Sequence, residues 1–522
     1  MIEINNNWIV VSSDDKSYRA LESYLIFTEP PHKMKVRGRE IEIPPKDIPL
    51  YYKDDDSGSI YIPVGYLLLL KDYIDINYDS GRVIDNRTKS GLYNSNEVLS
   101  NIESYRSVLD GIELRDNQII ALRKILAIKR CIIQLNTGAG KTEIMCALVK
   151  ILSEVNTGLK IPTTLVMEPT ARLVNDTIDR FKKYDINVVN YNENRKIIKS
   201  CVNICHPKSL GNDLDKYPNH LDDVQVLIGD ECHHMRSESF RKPTYSMKNL
   251  VYCIGLSASA IEQDRVMCKK IHEFSYAEAL TIGATGPLVM NVKADSMIED
   301  GDLAEPVLVV MKNLANEPIR SSDITNWHIV SKIRLESDTR SRIICSTAEF
   351  FHYKERKCLI LVRTIRWAKK ILEIFHEYGL SDYVRASYGG GRFESYNGYE
   401  FIPDTDDVFD KFKRGEFTIL IGTSHIYEGA DVPNLDTLIL AYGGKGERLQ
   451  IQGIGRVLRK TKNGNKAWII DFTDDEDVVL SSQLRRRMYR YKNIIGIKES
   501  DIYTDVNILD LDYIFNKYEN KT

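Results

Sequence analysis

The stretch that decides the fold reads Cys131-Ile132-Ile133-Gln134-Leu135-Asn136-Thr137-Gly138-Ala139-Gly140-Lys141-Thr142 and runs on into a helical pattern, Glu143 to Leu152. An apolar run, a glycine-rich turn and a helix start in that order make a phosphate cradle, because backbone N–H groups and the positive end of the helix dipole face one anion. Asn136, Thr137, Gly138, Ala139 and Gly140 would form the loop, Lys141 would reach the β- and γ-phosphates of a nucleoside triphosphate, and Thr142 would hold Mg²⁺. Leu135 occupies the first glycine position of the G-x-x-x-x-G-K-[ST] pattern. An ordinary glycine turn, however, gives no reason for Lys-Thr at the helix start.

Outward from this loop, apolar runs alternate with helical stretches: Thr164 to Met167, Val202 to Cys205, Val226 to Ile228 and Tyr252 to Leu256. Such alternation predicts a parallel sheet covered by helices. A second series follows, with Cys358 to Val362, Thr418 to Ile421, Thr437 to Leu440 and Ala467 to Ile470 as strands. The first hundred residues differ, with short pieces such as Trp8 to Val11 and Ile41 to Pro44 broken by Pro, Gly and Asp54-Asp55-Asp56. The expected organisation is a small mixed α/β accessory domain over 1–105, an α/β domain over 106–310, a connection over 311–338 and a second α/β domain over 339–522. The Gly- and Tyr-rich stretch Gly389 to Asp407 reads as a projecting loop.

A chain of 522 residues with 43% hydrophobic and 28% charged residues has the composition of a multidomain globular protein, which excludes a disordered or collagenous chain. Its net charge of −3 means that any phosphate-binding surface must be local. The apolar run Ile60 to Leu70 contains Pro and Gly and is far short of the roughly 20 residues that span a bilayer. Met1-Ile2-Glu3-Ile4-Asn5 lacks the pattern of a secretory signal, so a cytoplasmic protein without membrane partners is expected. Nine cysteines read as reduced thiols. Cys201, Cys205 and His206, with Cys232, His233 and His234, are better explained by buried strand positions than by a metal site.

Hydrolysis of a triphosphate needs a carboxylate for Mg²⁺ and a group that orients the attacking water. Val226-Leu227-Ile228-Gly229-Asp230-Glu231-Cys232-His233 offers both, with Asp230 in the metal shell and Glu231 on the water. A lone Asp-Glu after a strand is often a surface turn. Following a phosphate loop in this order, it reads as a catalytic pair.

Here the sequence resembles the superfamily 2 helicases, whose Walker B element reads Asp-Glu-x-His. The resemblance implies two tandem RecA-like parallel-sheet domains behind the accessory domain. Leu114-Arg115-Asp116-Asn117-Gln118 resembles the adenine-reading element, with Arg115 and Gln118 as base contacts. Pro169-Thr170-Ala171-Arg172-Leu173 and His206-Pro207-Lys208-Ser209-Leu210 resemble the strand-gripping elements, implying contacts from Pro169, Thr170, Arg172 and Ser209. Ser257-Ala258-Ser259 stands where the family couples hydrolysis to movement, with His233 in the same role. Arg363 and Thr364 fall in the next nucleic-acid element. Thr423, Gly429 and Asp431 fall in one that touches both strand and nucleotide. Gln452-Gly453-Ile454-Gly455-Arg456-Val457-Leu458-Arg459 matches the Gln-x-x-Gly-Arg-x-x-Arg element, so Gln452, Arg456 and Arg459 are implied in catalysis. Asp176 and His206 depart from the family pattern, which often has Gln and Thr there.

Within the superfamily the motifs are most similar to bacteriophage recombination and repair helicases of the UvsW type, and more distantly to XPB-type helicases and type III restriction motor subunits. That implies an ATP- and Mg²⁺-dependent motor in a host cytoplasm. It would remodel branched DNA such as forks, displacement loops and Holliday junctions without sequence preference, or unwind RNA–DNA hybrids. The accessory domain would bind duplex. After the last motif, Arg485 to Lys492 mixes basic and aromatic residues, and Arg486 and Tyr489 suit phosphate contact and base stacking. The same segment also reads as a solvated helix face with tyrosines turned inward. Three other functions compete: an RNA-directed helicase, a DNA-translocating subunit whose nuclease is a separate protein, and a P-loop kinase of small molecules, which the second α/β domain with its paired arginines disfavours.

Overall fold

The computed structural model describes residues 1–29, 32–36, 39–72, 74, 83–87, 95–136, 138–155, 161–312, 327–388, 392–404, 408–423, 426, 435–442, 453–461, 466–474 and 477–519. Their contacts divide them into two compact units, Met1–Leu135 with Gly140–Asn291, and Asn136–Ala139 with Val292–Thr522.

The first unit is built on a sheet ordered Val188–Asn190, Val202–Cys205, Thr164–Met167, Val226–Gly229, Tyr252–Ser257, Arg130–Leu135 and Leu288–Val292. Its central strands pair in parallel, with Met167 opposite both Cys205 and Gly229. Thr164–Met167, Val202–Cys205 and Val226–Gly229 are buried at every residue, as expected where helices cover both faces. All these strands therefore end on one edge, where an α/β sheet presents its ligand-binding loops.

The N-terminal residues form their own sheet, ordered Tyr52–Lys53, Ile60–Pro63, Trp8–Val11, Ile2–Ile4 and Val83–Asp85. The short helix Val64–Leu69, which follows strand Ile60–Pro63, packs on the helix Tyr276–Ala284 by close backbone approach. A Cβ on Gly65 would stand 2.2 Å from the Ile282 carbonyl oxygen, and one on Gly283 would stand 2.7 Å from the Tyr66 ring. The Tyr66 hydroxyl, buried in this contact, donates to the Ala279 carbonyl at 2.7 Å.

The second unit's sheet is ordered Phe401–Asp404, Arg392–Tyr396, Val384–Tyr388, Ile419–Gly422, Cys358–Leu361, Thr437–Leu440, Lys466–Thr473, Glu305–Lys312 and Ile502–Val506. With the first sheet it makes the chain an α/β protein of two tandem RecA-like domains. The boundary expected at residue 310 is corrected. Glu305–Lys312 pairs in parallel with Lys466–Thr473 along its whole length, so the second unit's sheet begins well before the expected connection. A projecting loop over Gly389 to Asp407 is also corrected. Arg392–Tyr396 and Phe401–Asp404 form an antiparallel hairpin that extends the sheet edge.

All nine cysteines are free thiols, and all but Cys268 are buried. Among the described residues no helix is long and apolar enough to cross a membrane.

Candidate active site

Strand Arg130–Leu135 delivers the chain to the glycine loop, and helix Lys141–Val155 carries it away. Gly138 and Gly140 have φ of 90° and 77°, in the left-handed region that disfavours any side chain. Gln118, 4% exposed, sits behind the loop. Its Oε1 accepts the Arg115 N–H at 2.8 Å and its Nε2 donates to the Gly140 carbonyl at 3.2 Å. Both ends of the Gln118 amide are thus engaged with backbone and brace the loop.

Lys141, at the first position of its helix, places Nζ 2.9 Å from Glu231 Oε1. Burial alone would lower its pKa, but the Glu231 and Asp230 carboxylates outweigh burial and hold it above its ordinary value. Glu231 follows the end of strand Val226–Gly229 in a left-handed conformation, φ 43°. Such a non-glycine conformation stores on the order of 1–3 kcal/mol and persists where surrounding structure fixes it. Here the fixing contacts are visible. Glu231 Oε2 accepts from Ser257 Oγ at 3.1 Å and lies 3.3 Å from His233 Nδ1, and Ser257 Oγ and His233 Nδ1 are 3.1 Å apart. The Ser259 N–H donates to Ser257 Oγ at 3.1 Å. Burial acts to raise the Glu231 pKa, and Lys141 and His233 reverse it, holding the carboxyl well below its usual range.

Asp230 behaves oppositely: burial dominates and pushes its pKa up to about 6 despite Lys141. Its Oδ1 is buried without a hydrogen-bond partner. An orphaned carboxylate oxygen of this kind, with the Thr142 hydroxyl one residue beyond Lys141 as a further oxygen donor, fits a hard divalent cation such as Mg²⁺.

In the first unit, Thr170 caps helix Ala171–Lys183 by accepting the Leu173 N–H, 3.3 Å from its Oγ1, with Pro169 just before it. Arg172 is exposed and 3.7 Å from Asp176. Ser209 lies in the first turn of helix Pro207–Leu214. In the second unit, Thr364 caps helix Ile365–Glu377 with its Oγ1 3.1 Å from the Trp367 nitrogen, next to exposed Arg363. Thr423 accepts the Ile426 N–H at 3.1 Å through its carbonyl. Arg456 is 7% exposed in a helical turn over 453–457, and Arg459 follows it, half-buried. Thr137, Gly429, Asp431 and Gln452 lie outside the described residues.

Helix Val478–Asn493 divides the basic and aromatic residues between two environments. Arg487 and Tyr491 turn inward and bond buried Asp471, the guanidinium at 2.7 Å and the hydroxyl at 2.7 Å. Arg485, Arg486 and Tyr489 face solvent.

Two further residues, Glu168 and Thr177, lie beside Asp230. Glu168, wholly buried at the end of strand Thr164–Met167, accepts from Thr177 Oγ1 at 2.7 Å. A carboxylate directly after the apolar run Thr164 to Met167 was the available signal. A cleft of about 480 Å³ near Gly65, Arg87 and Arg130 is lined by none of the residues assigned to nucleotide or strand.

Residues 111–262 match the type III restriction enzyme res subunit family, and residues 341–461 match the helicase conserved C-terminal domain. Putative helicase 22 of a Sulfolobus islandicus filamentous virus is 23% identical over 435 residues, 76% of this chain and 71% of its own. The DNA 3'-5' translocase XPB2 of Sulfurisphaera tokodaii is 25% identical over 389 residues, 68% of this chain and 80% of its own. The ATP-dependent DNA helicase uvsW of Enterobacteria phage T4 is 23% identical over 436 residues, 78% of each chain.

Proposed function

Since the chain belongs to the superfamily 2 helicases and is related to UvsW, XPB and type III restriction motors, we propose that it uses its ATP-driven helicase activity to remodel branched DNA. The observation that carries the motor reading is the connected set Lys141, Glu231, Ser257 and His233, which ties a phosphate-binding lysine to a carboxylate and then to the Ser257–Ser259 segment. DNA as the substrate is supported by the names of two relatives, a DNA translocase and a DNA helicase.

In this reading the triphosphate lies on the loop at the start of helix Lys141–Val155 and draws Lys141 away from Glu231. Freed of the ammonium, Glu231 orients the attacking water. Thr142 and Asp230 would hold Mg²⁺, which when bound neutralises charge on the phosphates. Gln452, Arg456 and Arg459 are assigned to the transferred phosphate, where an arginine contributes about 10³ to 10⁵ in rate. Loss of the γ-phosphate is felt at Glu231 and passed through Ser257 and His233.

The DNA backbone is assigned to Pro169, Thr170, Arg172 and Ser209 of the first unit and to Arg363, Thr364 and Thr423 of the second. Both helix caps support this. Thr170 and Thr364 each stand three residues past a strand end and open a helix, and such a terminus favours a phosphate. Arg486 and Tyr489 add a basic and an aromatic contact on an exposed helix face. Residues 1–105 are assigned to the duplex ahead of the moving strand.

A strand-displacement assay tests the proposal, with a synthetic four-way junction, a displacement loop, an RNA–DNA hybrid and a plain blunt duplex as substrates. Faster ATP-dependent conversion of the branched substrates than of the blunt duplex is expected. Equal rates on all, or activity on structured RNA alone, would overturn the branched-DNA reading.

A further inference from the structure

The two units repeat one local device, and only the first carries a buried carboxylate in it. In the second unit, strand Cys358–Leu361 is followed by Val362, Arg363 and the cap Thr364; in the first, strand Thr164–Met167 is followed by Glu168, Pro169 and the cap Thr170. The backbone at the two positions is equivalent. The Glu168 N–H donates to the carbonyl of Cys205, the last residue of the neighbouring strand, at 2.9 Å, and the Val362 N–H donates to Gly422 in the same way at 2.9 Å. Val362 is a buried apolar residue, so the fold does not require a carboxylate there.

Glu168 is nonetheless wholly buried. Its Oε1 is satisfied by Thr177 at 2.7 Å, and its Oε2 has no hydrogen-bond partner. The parallel register that sets Met167 opposite Gly229 sets Glu168 beside Asp230, whose Oδ1 is likewise buried and unpartnered. Two orphaned carboxylate oxygens thus stand at the ends of adjacent strands, next to the phosphate loop. Glu168, Asp230 and Glu231 share the local field with one ammonium, Lys141. The two unpartnered oxygens are hard donors of the kind that a divalent cation and its waters engage.

We infer that Glu168 is an outer carboxylate of the nucleotide's cation site, accepting a hydrogen bond from a water on the cation that Asp230 faces. An outer position agrees with the geometry, because among the described residues no three His, Cys, Asp or Glu side chains converge closely enough to cage a metal. Mg²⁺ ordinarily keeps several waters, and outer partners that hold such a shell change metal affinity by about 10- to 100-fold. Thr177 fixes Glu168 from helix Ala171–Lys183, the helix whose first turn carries the strand-gripping residues Thr170 and Arg172. Glu168 is therefore a positioning residue between the cation and the DNA grip. The inference rests on the nucleotide-site reading above.

Mn²⁺ titration followed by electron paramagnetic resonance, with the full chain and a non-hydrolysable ATP analogue, tests it. The variants are Glu168→Gln, Glu168→Val as in the second unit, and Asp230→Asn as the control. Both Glu168 variants are expected to lose about tenfold or more in Mn²⁺ affinity while binding of the analogue in EDTA stays at the wild-type level. Wild-type Mn²⁺ affinity in a folded Glu168→Val protein would overturn the inference, as would loss of metal-free analogue binding in Glu168→Gln. If Asp230→Asn also binds Mn²⁺ like wild type, the nucleotide-site reading itself fails and takes this inference with it.

Discussion

At the scale of single residues, the site is organised by what Glu231 touches. One oxygen holds Lys141 and the other meets Ser257 and His233, so the carboxylate is ionised, oriented and linked to the neighbouring strand at once. Glu231→Gln should lower kcat for ATP by about 10² to 10⁴, the range for loss of a positioned base, while analogue binding persists. Steady-state hydrolysis beside equilibrium binding would check this, and a near-normal kcat would contradict it. Asp230 gives a pH prediction of definite sign. Its pKa in the fold, pushed up to about 6, lies above the ordinary carboxylate value. The stability it contributes is full below that ordinary value and is lost as pH rises through about 6, where charge develops in a buried site. A cation relieves that charge, so Mg²⁺ with analogue should raise the Tm more at pH 8 than at pH 5. Equal shifts in differential scanning fluorimetry at the two pH values would contradict the assignment. Lys141, Asp230, Glu231 and the serines were legible in the sequence because their motifs are contiguous. Glu168 and Thr177 were not, because they meet only when a strand end and the next helix pack together.

Among the elements, the interior parallel strands were legible and the margins were not. Thr164–Met167, Val202–Cys205 and Thr437–Leu440 have the bounds read from their apolar runs, since a strand buried on both faces is mostly apolar, with only Thr164, Asn203 and Thr437 as polar members. Val188–Asn190 escaped notice because it is short, partly exposed and ends in Asn. Glu305–Lys312 is apolar enough to be seen as a strand, but its partner lies across the sequence at Lys466–Thr473, and local pattern carries no information about that pairing. Docking of the N-terminal sheet is likewise a matter of long-range contact, with Gly65 and Tyr66 against helix Tyr276–Ala284. Gly65→Ala places a methyl against the Ile282 carbonyl and should destabilise the first unit by about 1–3 kcal/mol, the usual cost of overpacking. Tyr66→Phe, which leaves the Ala279 carbonyl without its donor, should cost about 1 kcal/mol. Denaturant melts with limited proteolysis would read both, and a Gly65→Ala protein as stable as wild type would show that the two elements do not bear on each other as described.

For the whole molecule, a net charge of −3 makes nucleic-acid binding the work of local groups rather than of an overall field. The contacts proposed at helix caps and a few arginines would be to backbone phosphate, and such contacts are indifferent to sequence and sensitive to salt. With about four phosphates engaged, DNA affinity should fall on the order of a hundredfold between 50 and 200 mM salt. The same logic makes hydrolysis depend on the strand: a motor whose Ser257–Ser259 segment is joined to its catalytic carboxylate should turn over quickly only when nucleic acid is bound. The most direct measurement is the ATP hydrolysis rate of the full chain alone, with single-stranded DNA, with a branched DNA junction and with RNA, using Lys141→Ala in parallel. A strand-coupled motor turns over slowly alone, is strongly stimulated by branched DNA and loses all activity in the variant. Equal rates under the four conditions, or unchanged stimulation in Lys141→Ala, would contradict it.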